Sequence, residues 1–404
     1  MKTFQKFIIG ILAVIAIAVG VVCVYALKVA DDAKDTVDNI STNLNRETRK
    51  VSTAASDPIS FVLLGIDEGT MVGQGREDDP EENRMSSSYQ GRSDSMMYVT
   101  INPQKKQTTM VSLDRDLDIK IVGKTHDDGS AYYSKLNAAY AFGAAAGGKD
   151  AGATMAIETI EELLDVPADH YISINMQGLE DLIDAVGGID VDNKYHFELD
   201  GVELYPGKQH LDGKQGLAYA RYRDYDSETG MGDPEGDVGR QRRQREVIQL
   251  IVNKVLSLGT ISNYEKIFKA IEKNVTTDLT WDDMLNIAEG YSSVMDNYKT
   301  YQLQGQYYWR NETYYQIPGI NALLDIQNAL KEQLELPTTT TLPNLSRLDD
   351  GSMFFDDMHI IMDAGQREDI DPYLYWDGPI LKPQKRIWTE KLEANTSYPD
   401  DFAY

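Results

Sequence analysis

The sequence predicts an α/β protein in which a mixed central sheet is layered with helices. The apolar run SFVLLGID, Ser60–Asp67, ends in glycine and aspartate, as a buried central strand does. The segments 94–102 and 107–121 are strand-like and are joined by the turn NPQKK, which is typical of a hairpin. Strand-like and helix-like segments alternate from residue 153 onward, and that alternation predicts a layered α/β structure.

The elements that follow the hairpin are predicted from their spacing and composition. ATMAIETIEELLD (153–165) has helical spacing, and YISINM (171–176) has the composition of a strand. QGLEDLIDAVGG (177–188) is predicted to be a helix closed by glycine. IDVDN then begins another strand.

The second half of the chain adds one more predicted strand and several helices. GLAYARYRD (216–224) alternates in polarity and is predicted to be a strand. A long helix is predicted from about Gly239 to Leu258. Shorter helices are predicted near 262–273, 281–293 and 318–335.

An uncharged apolar run near the N-terminus predicts a membrane anchor. Phe7–Leu27 is long enough to cross a bilayer, for which a helix needs about 20 apolar residues. Lys2 and Lys6 precede the run, so the positive-inside rule places residues 1–6 in the cytoplasm and the globular region outside. A cleaved signal peptide is the alternative, but the run is long for one and no clear cleavage site follows it. We expect a single-pass, signal-anchored protein of the cytoplasmic membrane.

Composition divides the rest of the chain into four parts. Residues 28–59 are polar and predict a stalk outside the membrane. Residues 60–335 carry the globular pattern. LPTTTTLPNL (336–345) is a Pro/Thr linker. Residues 346–404 are acidic and contain Trp and Tyr, and we expect an acidic tail or a small lobe there.

The overall charge excludes some classes of function. The chain has 39 Lys and Arg against 65 Asp and Glu, a net charge of −26. Generic nucleic-acid binding needs a basic face, so we expect no nucleic acid as a partner. A local anion site is still compatible with this charge, because a cleft focuses its own field. Cys23 is the only cysteine, so an intrachain disulfide is excluded.

Four arginines are gathered in EGDVGRQRRQRE, at the start of the predicted long helix. Arg240 and Arg243 fall on the side of the apolar stripe within residues 247–255, since successive residues turn by about 100°. Arg242 and Arg245 point away and are predicted to face solvent. The alternative is that all four are surface charges with buried stems.

Arginines that face inward need an anionic partner. Asp237 is near enough in sequence to pair with one of them, and a helix N-terminus already favours anions. Arg221 and Arg223 are two residues apart on the predicted strand 216–224, so both would point to one face. Four guanidinium groups around one volume suit the oxygens of a pyrophosphate.

Carboxylates collect beside arginines at three predicted strand ends. Phosphoryl transfer uses that mixture, because carboxylates bind Mg²⁺ and cations stabilise the developing charge. Taken alone, each aspartate is equally well explained as a turn or cap residue. No histidine lies in these clusters, and the chain has no GxSxG, complete Walker A or HExxH motif. The clustered residues are Asp67, Arg92, Asp94, Asp114, Arg115 and Asp116.

In their order along the chain, these motifs resemble the LytR–CpsA–Psr (LCP) family over about residues 60–258. The segments that carry the resemblance are LLGID, GRSDSMMYVTINPQKKQTTMVSLDRD, KLNAAY, LLDVPADHYISINMQGLEDLIDAVGGIDVD, LDGKQGLAYARYRDYD and GDVGRQRRQREV. The resemblance implies an α/β/α fold with an apolar groove for a polyprenyl chain.

The resemblance also implies an activity. Such proteins are membrane-anchored enzymes of Gram-positive envelopes that transfer a glycopolymer from undecaprenyl pyrophosphate to peptidoglycan. The implied donor carries wall teichoic acid, capsule or a related polysaccharide, and the implied acceptor is the MurNAc 6-hydroxyl. The implied metal is Mg²⁺, with Mn²⁺ as its alternative.

The resemblance assigns roles residue by residue. Asp67 and Asp94 are the implied metal ligands. Asp94, Arg115 and Asp116 are the implied catalytic residues, with Asp116 as a candidate base. Arg242 and Arg245 correspond to variable positions. The implied pyrophosphate-binding residues are Arg92, Arg115, Lys135, Asn137, Arg221, Arg223, Arg240, Arg243 and Gln244.

The sequence departs from the family pattern near the implied site. Segment 68–90 is long and acidic, Asp114 stands where the family usually has proline, and DSETGMG is inserted before Arg240. Two other functions stay open at this point: a polyprenyl-pyrophosphate phosphatase or binding protein, and an envelope regulator of the transcriptional-attenuator type. The sequence does not specify the glycopolymer.

Overall fold

A computed structural model gives the fold of most of the predicted globular region. The predicted membrane helix 7–27, the acidic segment 68–90 and the tail 346–404 lie outside the described residues. Within the part of the chain that is described, no helix is both long and apolar enough to cross a membrane. The structure describes residues 37–67, 91–257, 272–280, 298–318 and 320–342, with short gaps, and a few isolated positions between 267 and 287.

The strands and helices are numbered here in chain order. The strands are β1 (Ile59–Asp67), β2 (Arg92–Asn102), β3 (Gln107–Leu113), β4 (Asp118–Thr125), β5 (Ala131–Lys135), β6 (His170–Asn175), β7 (Ile189–Asn193), β8 (Phe197–Leu199), β9 (Val202–Leu204), β10 (Gly207–Leu211), β11 (Tyr225–Asp226), β12 (Met231–Gly232), β13 (Val275–Thr277), β14 (Tyr298–Leu303), β15 (Gly305–Arg310) and β16 (Thr313–Pro318). The helices are α1 (Ala138–Leu164), α2 (Met176–Ala185), α3 (Gly213–Arg221), α4 (Gly236–Ser257) and α5 (Ile320–Gln333).

Six strands form the central sheet, in the order β13-β6-β1-β2-β3-β14. Strand β1 pairs parallel with β6 and antiparallel with β2, and β3 pairs antiparallel with β2 and parallel with β14. Strands β1, β3, β6 and β14 therefore run in one direction, and the predicted mixed sheet is confirmed. Their carboxyl ends meet the amino end of β2 at one edge of the sheet, called here the carboxyl edge.

Helices cover both faces of this sheet. Side chains of β1 alternate between the faces, so Phe61 packs in the core shared with α2, α3 and α4, and Val62 in the core shared with α1 and α5. Burial on both faces explains why β1 is continuously apolar in sequence. The α/β/α layering is present as implied. The helices contribute Ile183, Tyr219, Val247, Ile157, Ile160, Ile326 and Leu330 to the two cores.

The strand predicted over residues 107–121 is broken in two. Strand β3 ends at Leu113 and β4 begins at Asp118. Between them, the side chain of Asp114 accepts a hydrogen bond from the backbone N–H of Asp116 at 2.9 Å, which stabilises a turn. The break places Asp114, Arg115 and Asp116 in a turn at the carboxyl edge.

The segment 216–224 is not a strand, and that prediction was wrong. It lies mostly in helix α3, which ends at Arg221. The helix begins with a reciprocal cap: the Asp212 carboxylate accepts from the backbone of Gln215, and the Gln215 side chain accepts from the backbone of Asp212. Gly216 lets the helix approach α2 closely, since a Cβ there would lie 2.7 Å from Ile183.

Most other elements match their predictions to within a few residues. Helix α4 begins at Gly236, slightly before its predicted start. Strand β6 begins at His170, one residue before its predicted start. The helix predicted over 153–165 is the second half of α1, which begins at Ala138 and is kinked at Gly147 and Gly148. The helices predicted near 262–273 and 281–293 lie mostly outside the described residues.

Candidate active site at the carboxyl edge

Asp94 occupies a β-bulge at the carboxyl edge. In the β1–β2 ladder Gly65 is paired with Ser95, and the next residue, Ile66, is paired with Ser93, so Asp94 is the extra residue. A bulge re-aims side chains, and bulges are common next to active sites. The Asp94 carboxylate accepts a hydrogen bond at Oδ1 from Asn137 Nδ2 at 2.9 Å.

Arg115 lies between two carboxylates. Its Nη1 is 3.1 Å from Asp94 Oδ2, and its Nε is 3.8 Å from Asp116 Oδ2. Lys135 Nζ, at the end of β5, is 2.7 Å from Asp116 Oδ1. These four side chains keep 15–19% of their surface exposed, so they are accessible from solvent. Together with Asn137 they form what we call the Arg115 cluster.

The charge of Arg115 is secured by its neighbours. Burial opposes the charged form, but the surrounding carboxylates, Asp94 first among them, raise the pKa of the guanidinium. The backbone also fixes the arrangement, because Asn137 N–H donates to the carbonyl of Arg115 at 3.2 Å. The Arg115 cluster thus brings together residues from three separate segments: β2, the turn after β3, and the end of β5.

A second polar group, the Gln241 network, is buried beside the Arg115 cluster. Gln241 Nε2 donates to Asp114 Oδ2 at 3.2 Å and to Asp237 Oδ2 at 2.9 Å. Gln241 Oε1 accepts from Gln302 Nε2 of β14 at 2.8 Å. Arg240 Nη2 lies 2.7 Å from Asp237 Oδ1, so the expected pairing of Asp237 with an inward-facing arginine is confirmed.

The two carboxyls of this network, the buried Asp114 and the partly buried Asp237, differ in their affinity for protons. Burial raises the pKa of Asp114 to about 7, and the charges of Asp237 and Asp116 add to the effect. Burial acts in the same direction on Asp237, but Arg240 and Arg115 outweigh it and lower its pKa. Of the pair, Asp237 therefore carries the negative charge, whereas Asp114 gains or loses its proton near neutral pH.

Arg243 is held entirely by the protein's own acceptors. Its Nε donates to the carbonyl of Tyr219 at 2.9 Å, its Nη2 to the carbonyl of Tyr222, and its Nη1 to the carboxylate of Asp233. Its side chain is only 4% exposed and that of Asp233 is fully buried. Arg243 thus faces inward as predicted, but it contacts α3 and the chain before α4 instead of the Arg115 cluster.

Asp233 is a residue that the sequence reasoning missed. Besides Arg243, it accepts from the backbone N–H of Glu235 at 2.9 Å, just before α4 begins. It also lies against Gly239, where an added Cβ would be 1.9 Å from Asp233 Oδ2. Gly239, the second glycine of the GDVGR motif, is therefore required, because a side chain there would clash with the buried carboxylate that holds the start of α4. The acidic, glycine-rich context of Asp233, GDPEGDVG, is the sequence signal that could have identified it.

The prediction that Arg245 faces solvent was wrong. Arg245 is 5% exposed, and its Nη1 donates to Ser112 Oγ of β3 at 2.9 Å. Burial lowers the pKa of Arg245 to about 9. Arg242 is closer to its prediction, since it keeps 20% exposure and pairs with Glu235 at 2.7 Å.

The remaining arginines do not join the Arg115 cluster in this structure. Arg221, at the end of α3, pairs with Asp200 at 2.6 Å, and Arg223 is exposed beyond the helix. Arg221 and Arg223 therefore do not point to one face of a strand, and that prediction was wrong. Arg92 is exposed and lies opposite Asp67 at the last pair of the β1–β2 ladder.

Gln244 links α4 to the sheet. Its Oε1 accepts a hydrogen bond from Ser95 Oγ at 3.0 Å, one residue after the Asp94 bulge. The start of α4 is thereby fixed to β2 as well as to the turn after β3. This explains how a helix and two strands maintain a common geometry at the carboxyl edge.

Several buried polar atoms at this site have no hydrogen-bond partner within the described part of the chain. Among them are Arg115 Nε, Arg240 Nε and Asn137 Oδ1. Buried polar groups are ordinarily hydrogen-bonded, so two guanidinium donors of this kind indicate an anionic ligand. Guanidinium and ammonium groups at one edge of a sheet suit an anion with several oxygens.

The residues implied as metal ligands are compatible with Mg²⁺ only in an open arrangement. Among the described residues, no group of three or more His, Cys, Asp or Glu could hold a metal ion. Mg²⁺ is usually bound by one or two carboxylates, with waters and substrate phosphates completing its shell. Asp67 and Asp94 are on neighbouring strands at the same edge, which fits that pattern.

Comparisons with known proteins agree with this fold. The teichoic acid transferase TagU of Enterococcus faecalis, a polyisoprenyl-teichoic acid–peptidoglycan teichoic acid transferase, is 40% identical over 329 residues, 80% of this chain and 97% of that protein. A crystal structure from Enterococcus faecalis, described as a transcriptional regulator, aligns with a TM-score of 0.55 and 44% identity over 72% of this chain and 92% of that one. TagT bound to LI-WTA aligns with a TM-score of 0.51 and 25% identity over 72% of this chain and 95% of that one.

A family model gives the same result for most of the sequence. The model of the LytR_cpsA_psr family matches residues 23–332, which is more than half of the chain. The matched region includes the six strands of the central sheet and its helices, up to the last residue of α5. The resemblance seen in the motifs is confirmed, and the chain belongs to the LytR–CpsA–Psr family.

Proposed function

We propose that this protein transfers an anionic cell-wall glycopolymer from undecaprenyl pyrophosphate to peptidoglycan. The observation that carries the proposal is the Arg115 cluster, in which Arg115 and Lys135 lie beside accessible carboxylates at the carboxyl edge. Relatives with this fold are teichoic acid transferases by name, and TagT has been seen bound to LI-WTA. Wall teichoic acid is the polymer that these names support, and capsule or a related polysaccharide presents the same pyrophosphate.

The proposed reaction is a single phosphoryl transfer. A peptidoglycan hydroxyl attacks the phosphorus that bears the sugar, and a new P–O bond forms as the bond from that phosphorus to the bridging oxygen breaks. Undecaprenyl phosphate leaves with the bridging oxygen, and a phosphodiester joins glycan and peptidoglycan. Arg115 and Lys135 would stabilise the charge that moves to the leaving oxygen.

Asp116 is the proposed acceptor of the hydroxyl proton. It is partly exposed and its Oδ1 is already held by Lys135, which fixes the orientation of the carboxylate. Asn137 holds Asp94 in the same way. Side chains fixed by such contacts need little reorganisation during the reaction, which favours catalysis.

Asp67 and Asp94 would hold Mg²⁺ together with the pyrophosphate. Bound there, the metal would neutralise phosphate oxygens and so weaken the bond to the leaving group. Mn²⁺ has similar ligand preferences and is the alternative. The resemblance also assigns Arg92, Arg221 and Arg223 to the pyrophosphate. These arginines lie outside the Arg115 cluster, so their side chains would have to turn toward the head group to contact the donor.

A two-substrate assay tests the proposed reaction. The full-length protein in detergent is mixed with a polyprenyl-pyrophosphate-linked disaccharide and peptidoglycan oligomers. We expect a phosphodiester-linked glycan–peptidoglycan product that forms only when the acceptor is present. A phosphatase would instead release free phosphoryl products without an acceptor, and that result would contradict the proposal.

We also propose that residues 7–27 anchor the protein in the cytoplasmic membrane with the described domain outside. The uncharged run and the lysines before it support this orientation. Protease added to intact, wall-stripped cells is expected to remove the domain while a cytoplasmic marker protein survives. Full protection of the domain under those conditions would contradict the proposed topology.

A further inference from the structure

Asp114 is a titratable group at the site that the proposed reaction does not use. Its side chain is 0% exposed, and it lies in the turn that also carries Arg115 and Asp116. Its carboxyl accepts hydrogen bonds from the backbone of Asp116 and from Gln241 Nε2. Its own N–H donates to the carbonyl of Leu303 in β14 at 3.0 Å.

The charges that face Asp114 come from two elements. From α4, Asp237 shares the Nε2 group of Gln241 with it. From its own turn, Asp116 adds a second negative charge and Arg115 a positive one. The contacts from β14 are neutral, because Gln302 donates to Gln241 and Leu303 offers a backbone carbonyl. Each of the two elements therefore presents one carboxylate to Asp114, and these two charges outweigh that of Arg115.

Taken together, the Arg115 cluster and the Gln241 network have one carboxyl more than they have cations. Their carboxyls are those of Asp94, Asp114, Asp116 and Asp237, and their cations are Arg115, Lys135 and Arg240. This set of side chains is neutral when one carboxyl is protonated and negative when all are ionised. Asp94, Asp116 and Asp237 each contact a cation directly, whereas the hydrogen bonds to Asp114 come from neutral donors. Protonation is therefore least costly at Asp114.

We propose that Asp114 takes up a proton when the pyrophosphate binds at the Arg115 cluster, so that donor affinity depends on pH through this residue. The inference rests on the proposed function, because it needs an anion at Arg115. The incoming phosphates add negative charge and draw Arg115 away from the carboxylates near Asp114. Both changes favour the neutral form of Asp114, and by linkage that form favours binding.

The sign of the effect follows from that linkage. The complex holds its proton to a higher pH than the free protein does. Affinity is therefore highest below the pKa of Asp114 in the free protein, and falls as the pH rises from there to its pKa in the complex. Within that window the loss approaches about tenfold per pH unit, the limit for one linked proton. Since the pKa of Asp114 in the free protein is about 7, the loss of donor affinity is expected as the pH rises from 7 to 8.

Calorimetry on the full-length protein in detergent, at fixed Mg²⁺, tests the proposal. The probe is a polyprenyl-pyrophosphate-linked N-acetylglucosamine, because both of its phosphates are esterified and neither titrates in this range. Titrations at pH 7.5 in two buffers of different ionisation enthalpy measure the number of protons taken up. We expect the unaltered protein to take up a substantial fraction of one proton and to bind several-fold more weakly at pH 8 than at pH 7.

Two variants make the assignment specific. Asp114→Asn should bind with little pH dependence and little proton uptake, because the amide cannot titrate. Asp192→Asn, a matched change at an exposed position of β7, should behave as the unaltered protein.

Three outcomes would overturn the proposal. If the unaltered protein binds the donor without taking up protons, that result alone overturns the proposal, whatever the variants do. Proton uptake that persists in Asp114→Asn would also overturn it, while leaving the proposed function intact. Absence of donor binding even at pH 6, in the unaltered protein, would overturn the proposed function and this inference together.

Discussion

Replacing Arg115 with alanine is expected to lower the rate of glycopolymer transfer by about 10²–10³-fold, the usual effect of removing a group that stabilises transition-state charge. Within the described residues, Arg115 is the cation that contacts both Asp94 and Asp116. Without it, Lys135 would be the only cation left in the Arg115 cluster, and the two carboxylates would repel an incoming pyrophosphate. Both the binding of the donor and the chemical step should therefore suffer.

Initial rates with a labelled donor at fixed Mg²⁺ measure this effect, and they should be analysed for kcat and KM separately. Arg115→Lys should recover only part of the activity, since an ammonium group cannot reproduce a planar fork between two carboxylates. Lys208→Ala, which removes an exposed cation on β10, is the control and should leave the rate unchanged. If Arg115→Ala kept a rate within about threefold of the unaltered protein, a range typical of surface changes, Arg115 would not belong to the active site.

The layered fold and the grouping of the residues in the Arg115 cluster were predictable from sequence for definite reasons. The β1 run is apolar on both faces, which only a covered sheet explains. Asp94, Arg115 and Lys135 are far apart in sequence, and the motif resemblance assigned all three to one site. The structure places them within salt-bridge distance of common partners.

The prediction of a strand over 216–224 failed because periodicity alone was ambiguous. Residues 216–224 fit an alternating pattern as well as a helical one. The deciding signal is the DGKQ sequence just before, in which Asp212 and Gln215 cap each other. The position of Arg221 at a helix end, paired with Asp200, follows from that cap.

The orientation of Arg245 could not be predicted from α4 alone. A helical projection assumes one buried face, but the start of α4 is buried on two sides. Arg243 reaches α3 through Tyr219, whereas Arg245 reaches β3 through Ser112. Which faces of a helix are covered depends on the neighbours it packs against, and the sequence of the helix does not specify them.

Arg243→Ala is expected to destabilise the fold by about 3–5 kcal/mol, the usual cost of removing one partner from a buried ion pair. The change would leave the fully buried carboxylate of Asp233 without Arg243, and the carbonyls of Tyr219 and Tyr222 without the hydrogen bonds it donates. Arg243→Lys should rescue little, because one ammonium cannot reach three acceptors arranged around a guanidinium. A domain of this size should then unfold roughly 10 °C lower, by the usual conversion of a few degrees per kcal/mol.

Thermal unfolding of the full-length protein in detergent, followed together with donor binding, distinguishes the two roles open to Arg243. Arg242→Ala is the matched control: it removes a neighbouring arginine that is partly exposed, pairs with Glu235 at 2.7 Å and lies farther from Asp233, at 3.7 Å, and such exposed ion pairs contribute at most about 1 kcal/mol. The structural role predicts a large loss of stability for Arg243→Ala and a small one for Arg242→Ala. If Arg243→Ala instead unfolded at the unaltered temperature and bound the donor ten- to a hundredfold more weakly, by the loss of about 1.5–3 kcal/mol typical of a charge-assisted hydrogen bond, Arg243 would contact the pyrophosphate directly, as the family resemblance implies.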